Sequence, residues 1–140
     1  MRRHRKKIEL NVRPGDIFTN EYIVTEKVYR GFIDIFSDNN PLHTDKVFAE
    51  KLGMPEVVMH GNILNGFLSH FIGEVLPQKN VIIHSQSINF YNPVFLNDML
   101  SMHAEIVSYS EAVKAYSLNF IFRKQLGLRV AKGTIRIGLL

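Results

Sequence analysis

The chain has 140 residues with an ordinary balance of apolar and charged side chains, enough for one domain with a real core. It contains no cysteine, which excludes a disulfide framework, a thiol nucleophile and a cysteine-based zinc site, and is compatible with a reducing compartment. The formal net charge is +4, but Arg2, Arg3, Arg5, Lys6 and Lys7 crowd the first seven residues, and taking those five away leaves −1 for the remainder.

The basic character therefore belongs to a short N-terminal segment, residues 1–12, which reads as a solvated tail. The sharper alternative is an arm for nucleic acid, phosphates or an acidic carrier protein. With the rest of the chain slightly acidic, no nucleic-acid-binding face is expected. Ile8 to Arg13 lacks the apolar core of a secretory signal, and no apolar run approaches membrane-spanning length. No membrane partner is expected. The expected location is the cytoplasm, with an organelle matrix as the alternative for so Arg-rich a start.

Residues 13–140 read as a single domain. Arg13-Pro14-Gly15-Asp16 is a turn. Ile17 to Val24 alternates loosely and predicts a strand. From Glu26 to Ser37 the period changes, and Val28, Phe32, Ile33, Ile35 and Phe36 put an apolar stripe on a helix. Asp45 to Leu52 predicts a short second helix, capped by Thr44 or Asp45 and stopped by Gly53. His60-Gly61 opens the longest helical pattern. Ile63, Leu64, Phe67, Leu68, Phe71, Ile72, Val75 and Leu76 give it a wide apolar face, and Pro77 ends it. Four β-rich segments follow: Val81 to Phe90, Met99 to Ser108, Val113 to Arg123 and Leu128 to Leu139. Strands in succession with short turns predict an antiparallel meander. The expected class is α+β, with a curved antiparallel sheet wrapped around a long central helix.

The stretch that carries chemistry is Ser37-Asp38-Asn39-Asn40-Pro41-Leu42-His43. Pro41 fixes its own φ and pushes Asn40 toward an extended conformation, while Asp38, Asn39 and Asn40 favour turns. A stiff loop of this kind aims the Asp38 carboxylate and the His43 ring at one point. A carboxylate and a neutral imidazole facing one water take its proton and return a proton elsewhere. The plainer reading is a helix-ending turn with a surface histidine.

Phe32 to His43 resembles the D-x-N-P-[LI]-H hydratase motif of the MaoC-like hotdog family, which includes the (R)-specific enoyl-CoA hydratases. Met59-His60-Gly61 resembles the His-Gly at the start of that family's central helix. Asn92-Pro93-Val94 with Asn97-Asp98 resembles its P-V-x-x-G-D turn, and Lys132-Gly133 fits its last strand. The resemblance runs in order from about Ile17 to the end. It implies a hotdog fold, a homodimer, and hydration of trans-2-enoyl thioesters on CoA to (R)-3-hydroxyacyl thioesters, with no cofactor and no metal. It places the catalytic pair on Asp38 and His43, an oxyanion contact on the Gly61 backbone N–H, and a polar pocket residue at or near Ser69. Asn40, His60 and Asn62 complete the expected substrate-binding set.

Two departures stand out. Phe36-Ser37 occupies the places of the family's usual Ser-Gly, which puts the presentation of Asp38 in question. Asn62 replaces an apolar residue after His-Gly. His60 is expected to orient the helix start rather than react. Asn65 and Ser69 interrupt the helix's apolar face, and either line a tunnel or lie on its less buried side. A metal site from Asp38, His43 and His60 is conceivable, but the loop is explained without one. The rival functions are a 3-hydroxyacyl-carrier-protein dehydratase, a silent thioester-binding module and a thioesterase, and the fold alone does not choose among them.

Overall fold

The structure is a computed structural model and describes residues 9–140. The basic stretch Arg2 to Lys7 lies outside the described residues.

Strand β1 (Ile17–Ile23) and helix α1 (Glu26–Phe36) fall where the periods place them. Thr25 caps α1, its hydroxyl accepting the Val28 N–H. The predicted second helix is present, and a further short helix precedes it. Helix α2 (Pro41–Thr44) lies inside what reads as loop, and α3 (Lys46–Lys51) follows with Asp45 as its cap. Asn40 caps α2 and Pro41 takes its first position, where a missing N–H costs nothing. The four-residue length of α2 leaves too little periodicity to read.

Helix α4 runs over Ile63–His70 and begins later than His60-Gly61, which form the turn leading into it. From Phe71 to Val75 the helix widens into a π turn, and the Leu76 N–H reaches the Phe71 carbonyl at 3.1 Å. The widened turn keeps Phe71, Ile72 and Leu76 all buried. The Lys79 ammonium donates to the Gly73 and Glu74 carbonyls, two acceptors that the helix end leaves over.

Four further strands, β2 (Val81–Phe90), β3 (Met99–Ser110), β4 (Ala115–Arg123) and β5 (Arg129–Leu139), join β1 in one antiparallel sheet of order β1-β3-β4-β5-β2. The expected simple meander is therefore corrected. Strands β3, β4 and β5 do form one, but β2 crosses to pair with β5, and β1 takes the place beside β3. The β2–β3 connection is no hairpin turn. It is tied instead to β5 and to the segment leading into α4, with the Tyr91 N–H on the Val130 carbonyl and the Val94 carbonyl accepting from the Met59 N–H.

The sheet covers α4. Leu64, Leu68 and Phe71 share one core with Leu100, Met102 and Ile106 of β3, Leu118 and Phe122 of β4, and Ile135 and Ile137 of β5. Burying each such side chain contributes about 1.5–3 kcal/mol. In β3 buried and exposed residues alternate, the mark of a sheet with one covered face. Tyr22 ties β1 to α4: its ring stacks on Phe67, and its hydroxyl, whose pKa burial pushes up, meets His70 Nδ1 at 2.9 Å.

The segment Glu9 to Val12, expected within the tail, belongs to the domain. Val12 is fully buried, its carbonyl accepts the Tyr116 hydroxyl, and the buried Gln78 side chain bonds the Asn11 N–H and the Glu9 carbonyl. An apolar side chain and three satisfied polar groups outweigh the position near a terminus.

Ser37 ends α1 in the left-handed region, with φ 57° and ψ 28°. Asn97 does the same at φ 67°. Both stand where the related motif carries glycine, so the backbone path persists without it. Asparagine tolerates this region, whereas for serine it costs about 1–2 kcal/mol. Ser37→Gly removes that cost but frees the unfolded chain by about 0.4–1 kcal/mol. The expected net is a gain of roughly 0.5–1 kcal/mol in urea unfolding; a lowered midpoint would contradict this account of the turn.

Candidate active site

The turn at Ser37 delivers Asp38 to an exposed position at the end of α1. Its carboxylate accepts the Asn40 N–H at 3.2 Å, closing a local turn. The Asn40 side chain accepts the Leu42 N–H, and the Thr44 hydroxyl donates to the Asn39 and Asn40 carbonyls. Asn40 is thus occupied in holding the backbone that carries His43.

His43 is fixed from two sides. The Tyr29 hydroxyl of α1 donates to its carbonyl, and its ring Nδ1 stands 2.6 Å from the Val58 carbonyl. A carbonyl has no proton to give, so Nδ1–H is the donor and Nε2 keeps its lone pair. The Val58 N–H in turn donates to the Leu42 carbonyl. Neither Tyr29 nor Val58 is legible in the motif, because they lie 14 and 15 residues from His43 and Val58 acts through its backbone carbonyl.

His60 lies beneath, only 2% exposed. Its Nε2 donates to the Asp38 carbonyl at 2.9 Å, and its ring stacks on His43 with centroids 4.0 Å apart. The Phe32 ring stands 4.6 Å from it. Nδ1 of His60 has no hydrogen-bond partner among the described residues. The buried imidazole therefore links the two halves of the loop, holding Asp38 by its backbone and His43 by ring contact. Asp38, His43 and His60 each bring one nitrogen or oxygen within 4.8 Å of the others. Two hydrogen bonds of about 2.8 Å through a shared water span such a gap.

Gly61 follows His60 and is exposed. Its N–H makes no hydrogen bond to another described residue, since the turn it starts uses carbonyls: Ile63 N–H to His60 and Leu64 N–H to Gly61. Gly61 has no left-handed backbone to explain it. Space does: a Cβ there would stand 3.2 Å from the Phe90 ring. Gly61 and His43 share the wall of a cavity of about 320 Å³, completed by Val58, Met59, Leu64, the run Phe90 to Val94, and Val130. The walls are mostly apolar, and His43, Tyr91 and Asn92 bring the polar side-chain atoms.

Of the remaining expected residues, Asn62 accepts from the Asn65 side chain, which also receives Gln86 of β2. Ser69 is exposed on α4 and is not among the residues lining the cavity.

An antiparallel sheet curved around a buried helix, with the Asp38/His43 loop packed on His60 at the turn that enters it, defines a hotdog protein. Residues 12–119 match the MaoC like domain, and the chain belongs to that family. An (R)-specific enoyl-CoA hydratase of Aeromonas caviae is 34% identical over 80 residues, which are 57% of this chain and 60% of that protein. A mitochondrial 3-hydroxyacyl-[acyl-carrier-protein] dehydratase of Arabidopsis thaliana is 24% identical over 106 residues, 76% of this chain and 63% of that one. The matched part thus spans about three fifths of the length of these relatives. A solved (R)-hydratase from A. caviae superposes with a TM-score of 0.85 at 25% identity, covering 94% of this chain and all of that one.

Proposed function

We propose that the chain is a hydro-lyase of acyl thioesters, adding water to trans-2-enoyl-CoA to give the (R)-3-hydroxyacyl thioester, or removing it in reverse. The observation that carries this reading is an apolar cavity whose wall His43 and Gly61 share, with the Gly61 N–H unengaged and a carboxylate oxygen of Asp38 within 4.8 Å of a ring nitrogen of His43. Asp38 and His43 act on one water. Its oxygen bonds to the β-carbon, and the proton it loses passes through the pair to the α-carbon on the same face. The thioester oxygen gains negative charge as the double bond is attacked, and the Gly61 N–H stabilises it. A preorganised donor of this kind contributes about 3–4 kcal/mol to the transition state. His60 is a positioning residue, while Asn40 and Asn62 hold the loop and the helix entrance. The experiment is loss of enoyl absorbance on trans-2-enoyl-CoA of graded chain length, repeated on the carrier-protein thioester. Turnover of the carrier-protein thioester alone selects the dehydratase named in the Arabidopsis relative. No turnover, with acyl-CoA still bound, replaces the reading with a silent binding module.

The reading includes a symmetric homodimer. Strand β2 pairs only with β5 among the described residues and leaves its other edge open, with Ile82 and Phe90 each half exposed. An open apolar edge is a template for a second strand, and a twofold axis through it joins the two sheets. Ser69 and Gly66, exposed on α4, lie on the helix that the second copy covers. Light scattering at micromolar concentration is expected to give twice the chain mass; a monomer would remove the dimer from the reading.

A further inference from the structure

The β4–β5 ladder slips at one residue. Phe122 pairs with Ala131 and Arg123 with Arg129, which leaves Val130 as a bulge. A bulge re-aims the side chains on either side of it. Val130 is 1% exposed and lines the cavity. Its carbonyl accepts the N–H groups of both Tyr91 and Asn92, and the Asn92 side chain donates to the Arg129 carbonyl at 2.6 Å. The bulge is thus stitched to the cavity wall.

The same slip leaves Arg129 and Lys132 exposed on either side of Val130. Both gather on Tyr91, itself a lining residue and 43% exposed: the Arg129 guanidinium is 5.0 Å from the ring centroid and the Lys132 ammonium 6.0 Å. Arg123 is the cross-strand neighbour of Arg129. Among the described residues none of these three cations has a carboxylate within salt-bridge distance, whereas neighbouring Lys124 is paired with Asp98. General basicity is no explanation, because the chain beyond its first seven residues carries a net charge of −1. Like charges held at one ring repel one another unless an anion sits with them.

An acyl thioester has two unlike ends. The acyl chain carries no charge, and the pantetheine arm ends in a phosphate. With the thioester oxygen at the Gly61 N–H, the cavity wall leads from Phe90 and Tyr91 to the bulge. We propose that Arg129 and Lys132, flanking Tyr91, form the subsite for the phosphate of the pantetheine arm, and so set which end of the substrate leaves by this mouth. This rests on the thioester reading above. The phosphate is common to CoA and to the prosthetic arm of a carrier protein.

The test compares wild type with the double variant Arg129→Gln, Lys132→Gln. Both residues are exposed, so the fold is expected to persist, checked by circular dichroism. Three enoyl thioesters are used: CoA, 4′-phosphopantetheine and phosphate-free pantetheine. The variant is expected to raise KM at least about tenfold for the first two, with kcat nearly unchanged, and to leave the pantetheine thioester unaffected. Added salt is expected to narrow the difference. An equal loss on phosphate-free pantetheine overturns the proposal, as does a loss confined to CoA, which would assign the cations to the nucleotide. If wild type turns over neither these three nor the carrier-protein thioester, the hydro-lyase reading fails. Calorimetric binding of 4′-phosphopantetheine then decides the subsite alone: weaker binding to the variant supports it, and equal binding overturns it.

Discussion

Asp38→Asn and His43→Gln are each expected to lower the turnover rate by at least about 10²-fold, the lower range for a general acid–base group. Asn keeps the size of Asp38 and its hydrogen bond to the Asn40 N–H, but cannot take a proton. Gln in place of His43 keeps a donor toward the Val58 carbonyl and loses the titratable nitrogen. Both substitutions leave the loop's own contacts largely in place: the Tyr29 hydroxyl and His60 hold backbone carbonyls, which neither change touches. Because the two groups serve one water, the double variant is expected to be little worse than the poorer single one. Binding of a saturated acyl-CoA is expected to change far less. Wild-type rates in both single variants would remove the assignment, and additive losses would mean that the two groups act on separate steps.

The largest expected stability effect lies far from the loop, at Gly133→Ala. A Cβ on Gly133 would stand 1.8 Å from the Ser87 carbonyl oxygen and 2.9 Å from the Phe120 ring. The first of these is backbone of the neighbouring strand, so no side-chain rotation relieves it. Strand β2 must move off β5, its one partner among the described residues. The expected cost is about 3 kcal/mol, the upper end for overpacking, out of a total of about 5–15 kcal/mol for a domain. Gly31→Ala is the control. Nothing lies within 4 Å of a Cβ there, and the residue is interior to α1, so a gain of about 0.5–1 kcal/mol is expected. Urea midpoints for the two variants that moved together would contradict the packing described for Gly133.

Local features were readable from the residues, and partnerships were not. The ends of β1 and α1, the cap at Asp45 and the span of β2 follow from period and turn chemistry. The Asp38/His43 pairing follows from Pro41 and the asparagines around it. Its β-branched and aromatic residues mark β2 as a strand but do not say which strand lies beside it, so the crossing to β5 escaped the pattern. The Val130 bulge escaped for a similar reason: one extra residue in an apolar run looks like any other. The groups that set the tautomer of His43 and hold Asp38 are the carbonyl of Val58 and the side chain of His60. The first has no sequence signature at all. The unpartnered Nδ1 of His60 emerges only from burial.

The strand order has a consequence for synthesis. The outer strands β1 and β2 are the first two in the chain, and the strands between them are the last three. The first residue of β2, Val81, pairs with Leu139 at the far end of β5. While the nascent chain emerges, α4 and β2 therefore precede β3, β4 and β5, the strands that complete the core. Nothing in the early half can close a core, so the sheet assembles in one late event whose ladder contacts are long in sequence and slow to find. Until then the apolar face of α4 is open to whatever greets chains leaving the ribosome.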